Sequence, residues 1–478
     1  MKTETAKLKD GRTIEFVGSM IGEGGMKQVY FTPDKSSVVC FFKDGADASR
    51  LARLEAVIGK YNPTTDPITG RYFSQLYCWP TGVVVSPRMG VVCPTYPKNY
   101  FFRAGPWAGK EKEGKWFTGK TGGGKPFREL MPAEERGTWI NYFRLCIQMA
   151  RAVRRLHVAG LAHSDLSPKN ILVDPSTGQC IVIDIDSLVV PGLFPPDVLG
   201  TTGYIAPEVL ATVSLPLNDP RRKHPCVATD QHALPVLFYE YLLFRHPLKG
   251  PKVNSIASAE EDDVLSLGSK ALFVEHPTDA SNRPKDLRIP FDVLGPHLKE
   301  LFLRAFVEGL HAPNKRPTAI EWERALVKTW ELMYYCTNRS CSHQWFVAHD
   351  KSVIRCPFCS TKPGSEIVRL QLRKESKPGT WVKDGEVTIW NGKTIHKWHV
   401  FDSVHLNENL QQADKEPLAD CQLVQGQWLL INRKLTSLTS PGGNRVAAGN
   451  AVALKHGAQI RLSQEPHGRI AEVEIHSI

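Results

Sequence analysis

Alternating apolar and polar positions in about the first hundred residues predict a strand-rich beginning of the chain. Over 12–43 a glycine-rich turn divides this pattern into a strand, a turn and two further strands. A helical stretch is expected near 46–60, and another pair of strands at 81–96. The period of two therefore indicates a small β-rich region at this end of the chain.

A helical period replaces the alternation in the part that follows. Apolar residues recur at helical spacing across 134–159 and end at Gly160, a helix stop signal. The Gly- and Lys-rich stretch 103–128 contains few aliphatic residues, so we expect an exposed insertion there. The order of strands and then helices predicts an α+β fold for the first 334 residues. Further apolar helices are expected at 230–244, 297–310 and 318–334.

The last part of the chain returns to short alternating runs. Residues 385–478 carry turn signals between these runs and little helical pattern, so they predict a small all-β domain. Residues 362–384 are polar, contain Pro and Gly, and are expected to form a linker with one possible strand at 367–372. A cysteine-rich segment, 335–361, precedes this linker.

Composition indicates an ordinary globular protein. The chain has 478 residues, of which 42% are hydrophobic and 23% charged. It contains no apolar run of membrane-spanning length and no secretion signal, so we expect a cytoplasmic protein without membrane association. The net charge is +11, but Lys and Arg are spread along the chain without a nucleic-acid-binding motif. We therefore expect no nucleic-acid partner.

Four of the eleven cysteines form two close pairs, Cys336 with Cys341 and Cys356 with Cys359. Two such pairs can converge on one tetrahedral Zn²⁺ ion. Four thiolates leave no open position for water, so the expected zinc site is structural. Two disulfides would suit a cytoplasmic chain poorly. The second pair resembles the knuckle of zinc ribbons, which implies this fold for 335–361.

Three polar residues between short apolar runs carry the candidate chemistry of the α+β part: Asp165, Asn170 and Asp184. One carboxylate can orient a hydroxyl group, while an amide and a second carboxylate can hold Mg²⁺ against nucleotide phosphates. A glycine-rich turn in the first strands could bring backbone N–H groups to the same phosphates. The turn and the residue that follows it comprise Gly22, Gly24, Gly25 and Val29.

The segment from His163 to Asp184 resembles the catalytic loop and metal-binding triplet of the protein kinase family. The resemblance implies a two-lobed fold, with a small lobe at about 1–98 and a helical lobe at about 99–334. It also implies that ATP and Mg²⁺ are cofactors. In such a kinase Asp165 would orient the substrate hydroxyl, and the other two polar residues would bind Mg²⁺.

The kinase resemblance also assigns a phosphate-binding lysine. Lys43 lies at the end of the third apolar run and would clamp the α and β phosphates. Glu55, on the following helix, would be its ion-pair partner. The segment from Gly200 to Glu208 matches the end of a kinase activation segment, in which Glu208 would pair with Arg316. This segment shapes a platform for protein substrates, which argues against a small-molecule kinase.

The catalytic segment departs from the kinase pattern at three positions. Ser164 replaces an Arg that commonly binds a loop phosphate, so activity should not depend on such a phosphate. Ser167 replaces a Lys that neutralises the transferring group, and Lys169 is expected to supply this charge instead. Asp186 stands where the family has Gly, and it would either bind a second ion or cap the next turn.

The end of the chain resembles a second family. Residues 426–462 are similar to the second half of forkhead-associated domains, which are β-sandwiches. The preceding Pro417–Asp420 lacks the family's phosphothreonine-binding motif, so a docking role is expected. The order of kinase, zinc ribbon and forkhead-associated-like sandwich resembles bacterial kinases of the tellurium-resistance-associated TerY phosphorylation triad. Their partners are a von Willebrand A-domain protein and a metal-dependent protein phosphatase.

Two functional hypotheses follow. The first is an ATP- and Mg²⁺-dependent serine/threonine protein kinase that acts on itself and on partner proteins of such a triad. The second is a pseudokinase scaffold that binds nucleotide and assembles partners through its zinc ribbon and sandwich. The three departures and the altered glycine turn favour the scaffold, whereas the retained Lys43, Asp165, Asn170 and Asp184 favour the enzyme.

Overall fold

The computed structural model describes residues 2–45, 47–119, 121–122, 125–193, 195, 198, 200–349, 354–364 and 366–476. The chain divides into two compact units. The first comprises Met1–Gly137, Asn141–Arg288 and Glu300–Glu323, and the second comprises Thr138–Ile140, Ile289–Lys299 and Arg324–Ile478. No helix of the described ranges has the length and apolar character needed to cross a bilayer.

The first unit begins with an antiparallel sheet of seven strands: β1 (Thr3–Leu8), β2 (Thr13–Val17), β3 (Gly22–Glu23), β4 (Lys27–Phe31), β5 (Ser37–Phe42), β6 (Gly82–Ser86) and β7 (Gly90–Pro94). Their order in the sheet is β2-β1-β6-β7-β5-β4-β3. On one face Phe16, Tyr30 and Phe41 pack edge to face, with ring centroids 5.3, 5.5 and 5.7 Å apart. The strands predicted at 12–43 and 81–96 are confirmed.

The helices of the chain are α1 (Ala48–Ile58), α2 (Gly70–Phe73), α3 (Phe127–Leu130), α4 (Ala133–Arg136), α5 (Trp139–Val158), α6 (Pro207–Leu210), α7 (Val227–Leu243), α8 (Ala259–Leu267), α9 (Pro296–Leu303), α10 (Ala319–Trp330) and α11 (Lys397–Val400). Helix α7 is apolar on nearly all sides and is correspondingly buried. The helices predicted at 134–159, 230–244 and 318–334 are confirmed. The helix predicted at 297–310 ends earlier, and a π-helical turn, Arg304–Glu308, follows it.

Two hairpins complete the strands of the first unit: β8 (Thr121–Gly122) with β9 (Lys125–Pro126), and β10 (Ile171–Asp174) with β11 (Gln179–Val182). The second hairpin is buried except at Gln179. It lies between Asn170 and Asp184 in the sequence, so its antiparallel pairing brings these two residues back to the same end.

A buried ion pair connects distant segments of the first unit. Both terminal guanidinium nitrogens of Arg316 lie 2.8 Å from the carboxylate oxygens of Glu208. The Arg316 side chain is completely buried, so removing either partner would leave an uncompensated charge in the interior. This is the pair that the kinase resemblance implied.

The glycine-rich insertion at 103–128 is exposed only in part: eight of the nine residues at 103–111 are exposed, as its composition predicted, but a small core lies in the segment as well. The rings of Phe102, Trp107, Trp116 and Phe127 pack against one another with centroids between 5.1 and 6.4 Å apart. Beside them Lys112 is fully buried, and its ammonium lies 2.6 Å from the carboxylate of Glu135. The sequence did not predict this small core, because its aromatic residues have no regular spacing and lie among many Gly and Lys residues.

The described residues of the second unit form ten strands: β12 (Met333–Tyr335), β13 (Trp345–Val347), β14 (Ile367–Lys377), β15 (Thr380–Ile389), β16 (Thr394–Ile395), β17 (Ala419–Val424), β18 (Gln427–Asn432), β19 (Ala451–Ala453), β20 (Gln459–Arg461) and β21 (Ile470–His476). Strands β12 and β13 form a hairpin, and the others form two four-stranded sheets, β15-β14-β21-β20 and β16-β17-β18-β19. Buried residues of both sheets, among them Leu370, Ile389, Leu430 and Val452, form one core. This architecture is consistent with the predicted all-β region.

The linker predicted at 362–384 is wrong, because this segment supplies sheet structure. The possible strand at 367–372 is confirmed as the first part of β14. Strand β14 pairs with both β15 and β21, so it lies inside its sheet. The polar residues Arg369 and Gln371 are buried within β14, which explains why the segment looked solvent-exposed in the sequence. Within the predicted zinc-ribbon segment 335–361, residues 350–353 lie outside the described residues, and β13 lies in the described part.

Candidate active site

A cavity of about 650 Å³ opens in the first unit, within the size range of small-molecule binding sites. Its walls come from the seven-stranded sheet, from the segment 101–116 and from the ends of the β10–β11 hairpin. The polar side chains that line it include Lys27, Asn170, Asp184 and Asp186. The predicted Gly22 and Val29 line it as well.

Asp165 is held beside this cavity by two other residues. Its carboxylate accepts hydrogen bonds from the backbone N–H of Thr201 at 2.8 Å and from the Thr201 hydroxyl at 3.1 Å. It also accepts one from the side-chain amide of Asn170 at 3.0 Å. The sequence predicted Asp165 and Asn170 together, but it did not predict that Thr201 orients the carboxylate.

Hydrogen bonds with buried polar groups hold the loop that carries Asp165. The backbone N–H of His163 donates to the Asp230 carboxylate at 2.8 Å. The His163 Nε2 atom lies 3.0 Å from the carbonyl oxygen of Ile183. His163 therefore connects the loop before β10 to the residue directly before Asp184.

Asp184 adopts a left-handed backbone conformation, with φ 61°. A short 3-10 turn, Ile185–Ser187, follows it, and the Ser187 hydroxyl donates to the Asp184 carbonyl at 2.9 Å. The Ser164 hydroxyl donates in turn to that of Ser187 at 3.1 Å. Ser164, which replaces the family's Arg, therefore helps to hold the Asp184 turn.

Two lysines line this cavity, Lys27 and Lys110, and Lys27 is the one that contacts Asp184 and Asp186. Its Nζ atom lies 2.6 Å from Oδ1 of Asp184 and 2.8 Å from Oδ1 of Asp186. Burial opposes the charge, but the carboxylates of Asp186 and Asp184 raise the pKa of the Lys27 ammonium well above its usual value. Burial likewise raises the pKa of Asp184, and the Lys27 charge outweighs this effect and lowers it.

The sequence predicted an ion pair between Lys43 and Glu55. This prediction is wrong, because each residue has another partner. Lys43 lies 2.8 Å from Glu23, and both side chains are largely solvent-exposed. Glu55 lies 3.8 Å from Lys9 and is 47% exposed. The reason is the strand register: Val38 and Cys40 of β5 line the cavity, whereas Lys43 follows the end of that strand.

Lys27 was visible in the sequence as the residue that replaces the third glycine of the family's turn. In the structure it begins β4, and its pairing partner in β5 is Phe42. The backbone N–H of Gly24 donates to the Lys27 carbonyl at 2.9 Å, which closes the turn before this strand. Gly24 and Gly25 are exposed, so their backbone is accessible to a ligand.

Two further positions concern charge near Asp165. Ser167 is fully buried, and its hydroxyl oxygen accepts a hydrogen bond from Thr201 at 3.2 Å. Lys169 is exposed, and its proposed charge-supplying role stays a prediction. Asp186, in contrast, does not cap the next turn, because both of its oxygens lie within 2.9 Å of Lys27 Nζ.

Three cysteine side chains line the same cavity: Cys40, Cys78 and Cys93. The sequence indicated only buried thiols at irregular spacing, without a shared location. A hydrogen bond with Cys93 and burial raise the pKa of the Cys40 thiol far above its usual value. The Cys40 thiol is therefore neutral, and the three cysteine side chains contribute a weakly polar wall to the cavity.

The four clustered cysteines of the second unit converge as the spacing predicted. The sulfur atoms of Cys336, Cys341, Cys356 and Cys359 all lie within 4.8 Å of one another. The Cys336–Cys359 and Cys341–Cys356 sulfur distances are 3.4 and 3.8 Å. Four sulfurs around one zinc ion at about 2.3 Å would be roughly 3.8 Å apart, so the cluster has the right size for zinc.

His343, near this cysteine cluster, packs against an aromatic ring. The His343 ring stacks on the Phe358 ring, with centroids 3.7 Å apart.

At Cys359, burial raises the thiol pKa, but the hydrogen bonds with Thr361 outweigh this effect and lower the pKa to about 6. A thiolate at neutral pH is the form that binds metal ions.

Comparison with known proteins agrees with this geometry. Residues 131–330 match the protein kinase domain family. The chain is 30% identical over 139 residues to the serine/threonine-protein kinase PknA of Mycobacterium tuberculosis, which is 28% of this chain and 30% of PknA. It is 33% identical over 113 residues to the serine/threonine-protein kinase WNG2 of Toxoplasma gondii, which is 23% of this chain and 20% of WNG2.

The matched stretches thus span less than two thirds of either relative. Among solved structures, a Toxoplasma gondii rhoptry antigen kinase domain is similar with a TM-score of 0.40 and 14% identity, over 68% of this chain and 86% of that one. Residues 131–330 are therefore similar to protein kinase domains, and both of these relatives are serine/threonine-protein kinases.

Proposed function

We propose that the chain is an ATP- and Mg²⁺-dependent serine/threonine protein kinase that transfers the γ-phosphate to protein hydroxyl groups. One observation carries this proposal: a single cavity is lined by Lys27, Asn170 and Asp184, and Asp165 is hydrogen-bonded to Asn170 at its edge. These groups are a cation for phosphates, two oxygen ligands for a metal ion, and a carboxylate for a hydroxyl group.

The donor groups fit the cofactors. The Asn170 amide nitrogen donates to the Asp165 carbonyl and carboxylate, which leaves the amide oxygen as a ligand. Amide and carboxylate oxygens are the ligands that Mg²⁺ prefers, so Asn170 and Asp184 would hold it. Bound Mg²⁺ would neutralise charge on the phosphates. The Lys27 ammonium would bind phosphate oxygens from the β4 side of the cavity.

Asp165 would orient the substrate hydroxyl and accept its proton. Its carboxylate is already directed by Thr201 and Asn170, so little rearrangement is needed before transfer. The Glu208–Arg316 pair holds the segment that would support a protein substrate. Lys169, exposed next to Asn170, would supply positive charge near the transferring phosphoryl group.

The second unit would assemble partners. We propose a structural Zn²⁺ at the four cysteines and a docking role for the two-sheet region, which we interpret as forkhead-associated-like. The partners would be a von Willebrand A-domain protein and a metal-dependent protein phosphatase of a tellurium-resistance-associated triad, in a bacterial cytoplasm. The domain order and the cysteine thiols, none of which forms a disulfide in the described chain, support this assignment.

A pseudokinase scaffold is the second candidate. The specific observation in its favour is that Lys27 contacts two carboxylates at once, which competes with phosphate binding. The two candidates differ in whether phosphate is transferred at all, so the substitution of Asp165 separates them.

We predict that Asp165→Asn abolishes phosphate transfer while it preserves the fold. Loss of a positioned proton acceptor lowers rates by about 10² to 10⁴-fold, and the isosteric amide keeps the space filled. The measurement is transfer from radiolabelled ATP to the chain itself and to partner proteins. Equal incorporation by wild type and Asp165→Asn, or none by wild type, would contradict the kinase and favour the scaffold.

We predict that Lys27→Met and Lys43→Met differ sharply. Removal of a cation that contacts the transferring phosphates should lower kcat about a hundredfold, whereas the surface Lys43 should change it less than about threefold. Both variants have the same chemical change, so each is the control for the other. A loss of activity in Lys43→Met with normal Lys27→Met would restore the original assignment.

We predict one zinc ion per chain, held by the four cysteines. Metal analysis of protein purified without added metal measures the content, and the joint substitution of Cys356 and Cys359 by Ser should remove it. Removal by a chelator should also lower the melting temperature, because the metal stabilises the folded segment. Cys226→Ser, at an exposed cysteine outside the cluster, should retain the zinc. Loss of zinc from Cys226→Ser, or wild-type protein that contains no zinc, would contradict the proposed zinc site.

A further inference from the structure

The residue that replaces the kinase glycine, Asp186, is in direct ionic contact with Lys27. Its two carboxylate oxygens lie 2.8 and 2.9 Å from Nζ. Only 5% of the Asp186 side chain is exposed, so water screens this interaction weakly. The Lys27 side chain is 21% exposed, so its ammonium is also largely removed from solvent.

The backbone at this position does not require glycine. Within the triplet, Asp184 is the residue with a positive φ, and the 3-10 turn from Ile185 to Ser187 places position 186 in ordinary helical geometry. A side chain therefore costs no backbone strain there. The Leu188 N–H donates to the Ile185 carbonyl at 3.3 Å, so the turn holds the carboxylate on a fixed support.

Helix α1 does not supply a carboxylate to Lys27. Its sequence contains one acidic residue, Glu55, and that side chain is exposed near Lys9. Asp47, which caps the helix, accepts a hydrogen bond from the backbone N–H of Arg50. The ion-pair partner of the phosphate-binding lysine has thus moved from the helix to the turn after β11.

We propose that Asp186 is a positioning residue that holds Lys27 in the nucleotide cavity, in place of a carboxylate from helix α1. This inference rests on the proposed kinase function. Because Asp186 holds the ammonium, Asp184 remains available as a metal ligand without leaving Lys27 unpaired. The metal-binding carboxylate and the carboxylate that holds the lysine then share one turn, so their alignment does not depend on the position of α1.

The kinetic test compares Asp186→Gly, which restores the family residue, with Asp186→Glu and Glu55→Gln. Asp186→Gly should lower kcat about tenfold or more, because Lys27 is no longer held where charge develops. The KM for ATP should change less than about threefold, because a carboxylate that repels the phosphates is lost as well. Asp186→Glu keeps the negative charge, so its kcat should fall less than that of Asp186→Gly. Glu55→Gln should have the kcat of wild type.

A second readout requires no nucleotide and no activity. Thermal unfolding is measured for Lys27→Met, Asp186→Asn and the double variant, with Lys43→Met and Glu23→Gln as the matched surface cycle. Lys27→Met leaves the buried Asp186 carboxylate next to the partly exposed Asp184 carboxylate with no cation between them, so adding Asp186→Asn should raise the melting temperature again. For the exposed Lys43–Glu23 pair, the change in melting temperature of the double variant should equal the sum of the changes in the two single variants.

These outcomes separate the two claims. If wild type transfers no phosphate but the Lys27–Asp186 cycle is non-additive, the kinase proposal fails and the contact stands. If wild type is active and Asp186→Gly keeps its kcat within about twofold, the positioning role is overturned. A loss of kcat in Glu55→Gln as large as in Asp186→Gly, or an additive Lys27–Asp186 cycle, would also overturn it.

Discussion

The contact of Lys27 with Asp184 and Asp186 is the interaction on which the candidate site depends. It joins the sheet to the turn after β11, and its three charged groups line one cavity. Two carboxylates this close repel each other unless a cation lies between them. The buried ammonium therefore permits the acidic pair to exist, and the pair in turn keeps the ammonium charged inside the protein.

The other parts of the site are connected to this contact by hydrogen bonds. Asp230 holds the backbone of His163, and His163 contacts the carbonyl of Ile183, directly before Asp184. Thr201 and Asn170 both donate to Asp165. The carboxylate for the hydroxyl group and the oxygen ligands for a metal ion are thus supported by the same buried network, which favours a preorganised site over one that assembles on binding.

Local pattern predicted much of the fold and part of the site. The period of two located the strands within 12–43 and 81–96 but not β1 (Thr3–Leu8), and the helical period located α5, α7 and α10. Asp165, Asn170 and Asp184 were predictable because they flank one hairpin within twenty residues. Lys27 was not assigned, because the direction of a strand side chain depends on register: Val29 pairs with Cys40, and Cys40 rather than Lys43 lines the cavity. Residues 362–384 were predicted to be a polar linker with one possible strand at 367–372, whereas β14 extends to Lys377 and its polar residue Arg369 is buried.

The most direct test of this account is to identify which lysine lies beside the phosphates of a bound nucleotide. An ATP analogue with a reactive acyl phosphate transfers its acyl group to a nearby amine, and peptide mass spectrometry locates the modified residue. The account predicts modification at Lys27 that excess ATP suppresses, with Lys43 labelled no more than other surface lysines. ATP-protected labelling of Lys43, with Lys27 unmodified, would contradict it.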